Sequence, residues 1–365
     1  MGVGPRALED MGVERDFWSG RRVLVTGHTG FKGAWLTLWL TQMGAEVAGL
    51  ADAVPTSPSL YELARVGDAV EEIRADVRDG DAVLRAFASS RPEVVVHMAA
   101  QPFVRRSFHD PRATYETNVM GTVNVLEAVR ATDSVRAVVN VTSDKCYDNR
   151  EQGRPFVEDD PKGGHDPYSN SKGCAELVAD AYLRSFFAPD PDGPRIGCGR
   201  AGNVIGGGDW GEDRLIPDLM RAALSGAAIP IRNPEAVRPW QHVLNPLSGY
   251  LELAQALVES PESQGGWNFG PRPDDVQPVR WIAERLGERW DGELRWDVDS
   301  GPHPHEAHYL ALDSTKARER LGWAPAWNLG EALDSIVAWY TALRDGGDMR
   351  ALTLAQIEAF AGTHR

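Results

Sequence analysis

The chain has little cysteine, no long unbroken apolar run and no cluster of basic residues. Its three cysteines, Cys146, Cys174 and Cys198, show no CxxC spacing. Their odd count argues against a disulfide framework and fits a reducing compartment, the cytoplasm. Lys and Arg total 38 against 53 Asp and Glu, a formal net charge of −15. That balance argues against nucleic acid or an anionic membrane as partner. It leaves room for a phosphate-bearing small molecule, which needs only a few local arginines. The most apolar stretch, residues 34–51, is broken by Gln42, Gly44 and Glu46. It reads as a buried helix followed by a strand, not a membrane span. The opening residues lack the apolar centre of a signal peptide. No internal repeat or low-complexity tract is present.

What is there is an alternating pattern. Short β runs are expected at 22–25, 46–50, 93–97 and 137–141. Helical periodicity falls at 32–43, 81–88, 114–130 and 171–186. Short buried strands alternating with amphipathic helices indicate an α/β fold, a doubly wound parallel sheet with helices on both faces. After Arg200 glycine and proline become frequent. Strands there are less regular (229–233, 267–270), with helices at 215–223, 246–259, 279–286 and 329–344. The expected organisation is a leader at 1–16, a Rossmann-type NAD-binding domain at 17–200 and a smaller α/β substrate lobe at 201–345. Part of 240–265 would return to the first domain, and 346–365 would form a tail.

The segment TGHTGFKG, Thr26 to Gly33, follows the first β run and enters the first helix. Gly27, Gly30 and Gly33 carry the spacing of a dinucleotide loop. The first allows a tight turn, the second a close approach of backbone to a pyrophosphate, the third close packing of helix on strand. His28, Thr29, Phe31 and Lys32 fill the loop. Asp52 ends the next β run about 20 residues on, where an acid takes the ribose hydroxyls of NAD. Asp76 follows another short β segment and could meet the adenine amine. Either acid could instead be an ordinary turn residue. No arginine follows Asp52 directly to receive a 2′-phosphate, so NAD is favoured over NADP. Lys32 is the contrary hint.

The most informative chemistry is in YSNSK. Tyr168 and Lys172 lie four apart, on one face of a helix. A lysine ammonium beside a phenol favours the phenolate, so Tyr168 is expected to act as a base. Some 25 residues upstream, Ser143, Asp144 and Lys145 end an apolar run.

Several segments occur together and in order: VTGHTGFKGAWL, HMAAQPFVRRS, TSDKCYDNRE, DPYSNSKGCAELV, RAGNVIGGGDW, RPWQHVLNPLSGY, WNFGPR and HPHEAHYLALD. On these the chain resembles the extended short-chain dehydrogenase/reductase family, in its nucleotide-sugar branch, over roughly residues 20–330. The resemblance implies a lyase acting on CDP-glucose, a hydro-lyase that oxidises C4, eliminates water across C5 and C6, and recycles its NAD. It implies that Ala99 joins the cofactor site and that Tyr168 takes the proton of the 4-hydroxyl. Lys172 would hold the nicotinamide ribose, Ser143 the 4-oxygen, and Asp144 would be the acid at O6. Lys145 departs from the dTDP-glucose dehydratases of the family, which keep glutamate there as the C5 base. Lys145 is therefore either a neutral base or a stabiliser of the enolate, or it is salt-bridged to Asp144.

By position, Gln101 and Arg106 are expected near the sugar, and Arg214, Arg232 and Arg238 near the diphosphate; the resemblance implies that Asn118 steadies the site and that Asn203 contacts sugar or phosphate. Surface ion pairs are the ordinary alternative for the arginines. His303, His305 and His308 miss the HExxH spacing by one residue, so no metal is expected. His305 is read as a contact to the nucleotide. Trp210, Trp240 and Trp267 read as packing residues. As in relatives, helices near 114–130 and 168–186 would build a homodimer, with a tetramer left open. Two rival functions remain. A nucleotide-sugar 4-epimerase, or a dehydratase for another nucleotide, would use the same scaffold. A non-enzymatic dinucleotide sensor would have no need of Tyr168 and Lys172.

Overall fold

In the computed structural model, which describes residues 12–299, 301 and 309–363, the valine-rich runs lie side by side. The first half of the chain runs α1 (Arg15–Trp18), β1 (Arg22–Thr26), α2 (Phe31–Gln42), β2 (Glu46–Ala51), α3 (Leu60–Leu63) and β3 (Glu71–Arg74). It continues through α4 (Gly80–Ser90), β4 (Val94–His97), α5 (Val104–His109), α6 (Pro111–Tyr115) and α7 (Gly121–Arg130). Then come β5 (Ala137–Val141), α8 (Pro167–Tyr182) and β6 (Arg195–Arg200).

The second half begins β7 (Val204–Ile205), α9 (Leu215–Ser225), β8 (Ala228–Ile231), β9 (Val237–Pro239), β10 (Gln241–His242), α10 (Leu244–Glu259) and β11 (Gly265–Asn268). It closes with β12 (Val276–Pro278), α11 (Val279–Arg289), β13 (Arg295–Val298), α12 (Thr315–Leu321), α13 (Leu329–Arg344) and α14 (Met349–Thr363).

Seven strands form one sheet in the order β11-β6-β5-β4-β1-β2-β3, and every neighbouring pair is parallel. Side chains alternate across it. Val23 and Val25 enter the apolar cluster on one face, with α2 and α10, while Leu24 enters the other, with α4 and α7. Val94, Val96 and Val139 repeat the first choice, and Val95 and Val138 the second. Burial on both faces is why these strands read as continuous valine runs. The chain order reverses between β1 and β4, so a crevice opens there at the carboxyl ends of the strands.

One element differs from expectation. The strand expected at 267–270 runs Gly265–Asn268 and pairs with β6, so it is the edge of the main sheet. Helix α10 also packs on β5 and β6. The smaller sheets pair β8 with β13, β9 with β12 and β7 with β10. At the ends, the Trp18 indole and the Glu14 amide both donate to Gln255 Oε1 on α10, at 2.9 and 3.0 Å. In the closing segment α14 buries Ile357 and Phe360.

Candidate active site

A cleft of about 970 Å³ runs along the strand ends, from the glycine turn after β1 to β8 and β9. Gly27 sits at φ +76°, and a Cβ there would stand 2.8 Å from Ala99 N. A Cβ at Gly33 would strike the Gly27 carbonyl. Only glycine permits this turn, which brings the N-terminus of α2 against the cleft without a side-chain cap. Thr29 Oγ1 donates to Ala53 O at 2.7 Å and ties the turn to the end of β2. Gly30, Phe31, Lys32, Ala99, Asp52 and Asp76 all line the cleft. His28 does not. Its ring turns under the loop, fully buried over Gly49, and burial lowers its pKa.

At one end of the cleft Asp52 Oδ1 accepts its neighbour's Ala53 N–H at 2.8 Å. Asp76 accepts from the Arg78 guanidinium and amide, which holds its carboxyl below the usual range. Arg78, a residue not singled out in the sequence, also feels Asp52.

At the other end lie the five expected catalytic residues. Asp166 caps α8 by accepting from Ser169 N at 2.9 Å, and Pro167 opens the first turn. Tyr168 and Lys172 are thereby aimed inward, 8% and 7% exposed. Ser143, Asp144 and Lys145 follow β5 and line the same wall. Ser143 Oγ donates to Asp144 Oδ1 at 2.8 Å. Asp144 is 1% exposed, and its Oδ2 has no hydrogen-bond partner among the described residues. A Cβ at Gly202 would strike that carboxyl, so glycine makes its room.

The electrostatics differ from the expected phenolate. Burial pushes the Tyr168 pKa up to about 12, while Ser143 and Arg214 pull it down. The Lys172 ammonium instead donates to Val141 O at 3.3 Å. Burial lowers its pKa to about 8, and Glu176 raises it.

Glu176 belongs to a buried brace. Arg200, ending β6, donates to both Glu176 oxygens, at 2.8 and 2.6 Å, and to Tyr147 OH at 2.6 Å. Thr142 Oγ1 donates to Glu176 as well. The brace therefore locks the 142–147 segment to α8. A signal for it was present, since Tyr168, Lys172 and Glu176 repeat every four residues.

Of the expected sugar contacts, Asn203 lines the cleft at φ +44° with its Oδ1 buried and unpartnered among the described residues. Arg106 lines it and is exposed. Gln101 lines it, but its amide folds its own loop, bonding Phe103 and Thr114. Asn118 is set back in a π-helical turn. It takes Gln101 N at 2.8 Å and donates to Gln101 O and Ser171 Oγ, so it braces rather than lines. Arg214 pairs with Asp209 at 3.0 Å, Arg232 with Asp213 at 3.5 Å, and Arg238 donates to Val237 O at 2.9 Å. All three arginines line the cleft. His305 lies outside the described residues. Among the described residues no group of His, Cys, Asp and Glu could hold a metal.

Lys32 is placed where its sequence position gave no hint. Its Nζ donates to Tyr250 OH of α10 at 3.0 Å. Lys172, Arg214 and Asp144 all act on its charge, and burial lowers its pKa to about 7.

A glycine cradle joined to a buried Tyr, Lys, Ser and Asp defines a dinucleotide-dependent enzyme acting on a carbinol. The chain belongs to the NAD dependent epimerase/dehydratase family, whose model matches residues 23–269. It is 51% identical over 352 residues to the CDP-glucose 4,6-dehydratase of Salmonella typhimurium, covering 95% of this chain and 98% of that one. To a dTDP-glucose 4,6-dehydratase of Xanthomonas campestris it is 29% identical, over 87% and 92% of the two chains. The UDP-glucose 4-epimerase of Thermus thermophilus, solved with NAD, superposes with a TM-score of 0.74 at 28% identity, over 88% of this chain and 99% of that one.

Proposed function

We propose that the chain converts CDP-glucose to CDP-4-keto-6-deoxyglucose and water. The carrying observation is the buried Asp144 carboxyl, its Oδ2 without a partner among the described residues, in the cleft that holds Tyr168 and Lys172. A 4-epimerase has no use for an acid there, whereas expulsion of the 6-hydroxyl requires one.

The Gly27 turn, the N-terminus of α2, Asp52, Asp76, Ala99 and Lys172 would hold NAD. When bound, NAD would supply a reversible hydride acceptor, for the hydrogen of C4 and then for its return to C6. Tyr168 takes the O4 proton while the Ser143 hydroxyl holds O4. With C4 a ketone, the C5 proton is acidic. Lys145 stands one residue from Asp144 and either removes that proton or holds the enolate oxygen. Asp144 protonates O6, and water leaves. The C5 proton returns at the end. One turnover thus leaves Tyr168 with an added proton and Asp144 with one fewer. Asn203 Oδ1 would accept a sugar hydroxyl, and Arg214, Arg232 and Arg238 would hold the diphosphate.

The test is incubation with CDP-glucose followed by alkali. A 4-keto-6-deoxy product then absorbs in the near ultraviolet. A signal from dTDP-, UDP- or GDP-glucose but none from CDP-glucose would overturn the nucleotide assignment.

Two further readings belong here. Met120, Leu177 and Phe186 are 50%, 58% and 46% exposed, on or beside α7 and α8, which supports a homodimer through those helices. No helix among the described residues is long and apolar enough to cross a membrane. The three free cysteines support a cytoplasmic location.

A further inference from the structure

One buried ion pair grips the turn that carries Ser143, Asp144 and Lys145 from both sides. Glu176 lies one helical turn beyond Lys172 on α8, and Arg200 ends β6, both buried. On the entry side Thr142 Oγ1 donates to Glu176 Oε1, and the Lys172 ammonium donates to Val141 O at 3.3 Å. On the exit side Arg200 donates to Tyr147 OH at 2.6 Å, and that hydroxyl donates to Asn268 Oδ1 of β11 at 2.7 Å. Between the two grips, Asp144–Cys146 form one short 3-10 turn.

We propose that Tyr147 is a positioning residue for the elimination step: its hydroxyl ties the Lys145 end of the turn to the Glu176–Arg200 pair, while Thr142 ties the Ser143 end, on which C4 oxidation depends. The inference rests on the dehydration proposed above. Tyr147 is 1% exposed, and its hydroxyl is engaged by Arg200 and Asn268, so it acts through its neighbours and not on the sugar. Its ring is stacked on Phe156, with centroids 4.7 Å apart and 8° between the planes. It also bridges Lys162 across an antiparallel pairing, and beside it Gly163 N donates to Cys146 O at 2.8 Å and Asp148 N to Pro161 O at 2.9 Å. At the other end the Lys145 amide donates to Ser143 Oγ at 3.2 Å, and Ser143 Oγ donates to Asp144. Ser143 is thus held from the entry side, and Lys145 stands between Ser143 and the Tyr147 grip.

A charge-assisted bond in a dry site holds a hydroxyl more firmly than a neutral pair does. Elimination needs that firmness, since a group displaced by about 1 Å can lose roughly 10²-fold in rate. Loss of the Tyr147 hydroxyl would spare the oxidation side. Arg200 keeps both Glu176 oxygens and the Glu158 carbonyl, at 3.0 Å, and Thr142 and Lys172 keep their own bonds. Asn268 keeps its donations to Phe156 O and Asp313 O. The two ends of the turn can therefore be loosened separately.

The experiment is rapid-mixing kinetics of the full enzyme with NAD and CDP-glucose, following the absorbance of reduced cofactor beside quenched assays of the alkali-absorbing product. Tyr147→Phe keeps the ring and its stack on Phe156, and thermal unfolding checks the fold. Reduced cofactor should form within about twofold of the wild-type rate while product forms about tenfold or more slowly, so reduced cofactor persists. Thr142→Val is the independent variant from the other end. It should slow the formation of reduced cofactor itself, without persistence, and Thr142→Ser, which keeps the hydroxyl, should restore the wild-type rate. Equal slowing of both steps in Tyr147→Phe, an unchanged product rate there, or cofactor reduction at the wild-type rate in Thr142→Val would overturn the two-ended grip. Absence of product from wild type would instead overturn the dehydratase reading itself.

Discussion

In the proposed dehydration Asp144 and Lys145 decide the reaction, and both stand in four consecutive letters, SDKC. Tyr168 and Lys172 alone specify only oxidation of a carbinol. Asp144→Asn should cut formation of the alkali-absorbing product by roughly 10²–10⁴-fold, while reduced cofactor still accumulates at its own absorbance band. Lys145→Ala should behave likewise, and full turnover by that variant would remove Lys145 from the mechanism. Legibility at this scale was uneven. The grouping of the five candidate catalytic residues could be read, but not their charge states. Tyr168 was expected as a ready phenolate, yet burial sets its pKa near 12. Burial is a property of packing and cannot be seen in a four-residue spacing. Lys172 is cationic below its pKa of about 8 and neutral above it. Activity should therefore fall on the alkaline side as pH rises through that value. Glu176 holds the cation, so Glu176→Gln should lower the Lys172 pKa and move the alkaline limb of the pH profile downward. The same variant leaves Arg200 buried without its anion, at a cost of about 3–5 kcal/mol in stability, measurable by denaturant unfolding.

Elements made of valine were legible, and elements made of glycine were not. Strands β1, β2, β4 and β5 fall where the apolar runs predicted them. Strand β6, RIGCGR, was not among the expected β runs, and two glycines and two arginines occupy its six positions. The structure supplies the reason. A Cβ at Gly197 would stand 2.9 Å from Leu253, and one at Gly199 would stand 2.7 Å from Tyr250. The glycines let α10 lie close on the sheet, which puts Tyr250 under Lys32. Gly266 of β11 leaves room in the same way for the Arg200 guanidinium. Close packing by α10 is thus one structural cause of both the missed strand β6 and the hidden Lys32 pair. The first turn of α8 carries Tyr168 and depends on its cap. Asp166→Ala should lower stability by about 1 kcal/mol. It should also lower kcat through a loosened Tyr168, which separates it from a surface change. Gly202→Ala should displace the Asp144 carboxyl and abolish elimination, with C4 oxidation retained.

At the scale of the whole molecule the sheet order creates the crevice, and the crevice brings residues from both halves of the chain to one cleft. Asp144 comes from the first half, Asn203 and Arg214 from the second. That convergence was legible as a fold class. The pairing of Lys32 with Tyr250, separated by 218 residues, was not, because no local pattern encodes it. The exposed apolar positions on and beside α7 and α8 give a prediction of assembly. Leu177→Glu should convert a dimer to a monomer in light scattering after size exclusion, with the fold retained. A wild-type chain that is already monomeric would contradict that interface.

The account's central claim is one internal oxidation, elimination and reduction on a single sugar. CDP-glucose carrying deuterium at C4 tests it most directly, with the product read by mass spectrometry and NMR. The account predicts loss of one water with the deuterium retained and found at C6. Deuterium still at C4, in a sugar of unchanged mass and inverted configuration, would contradict it and make the chain an epimerase.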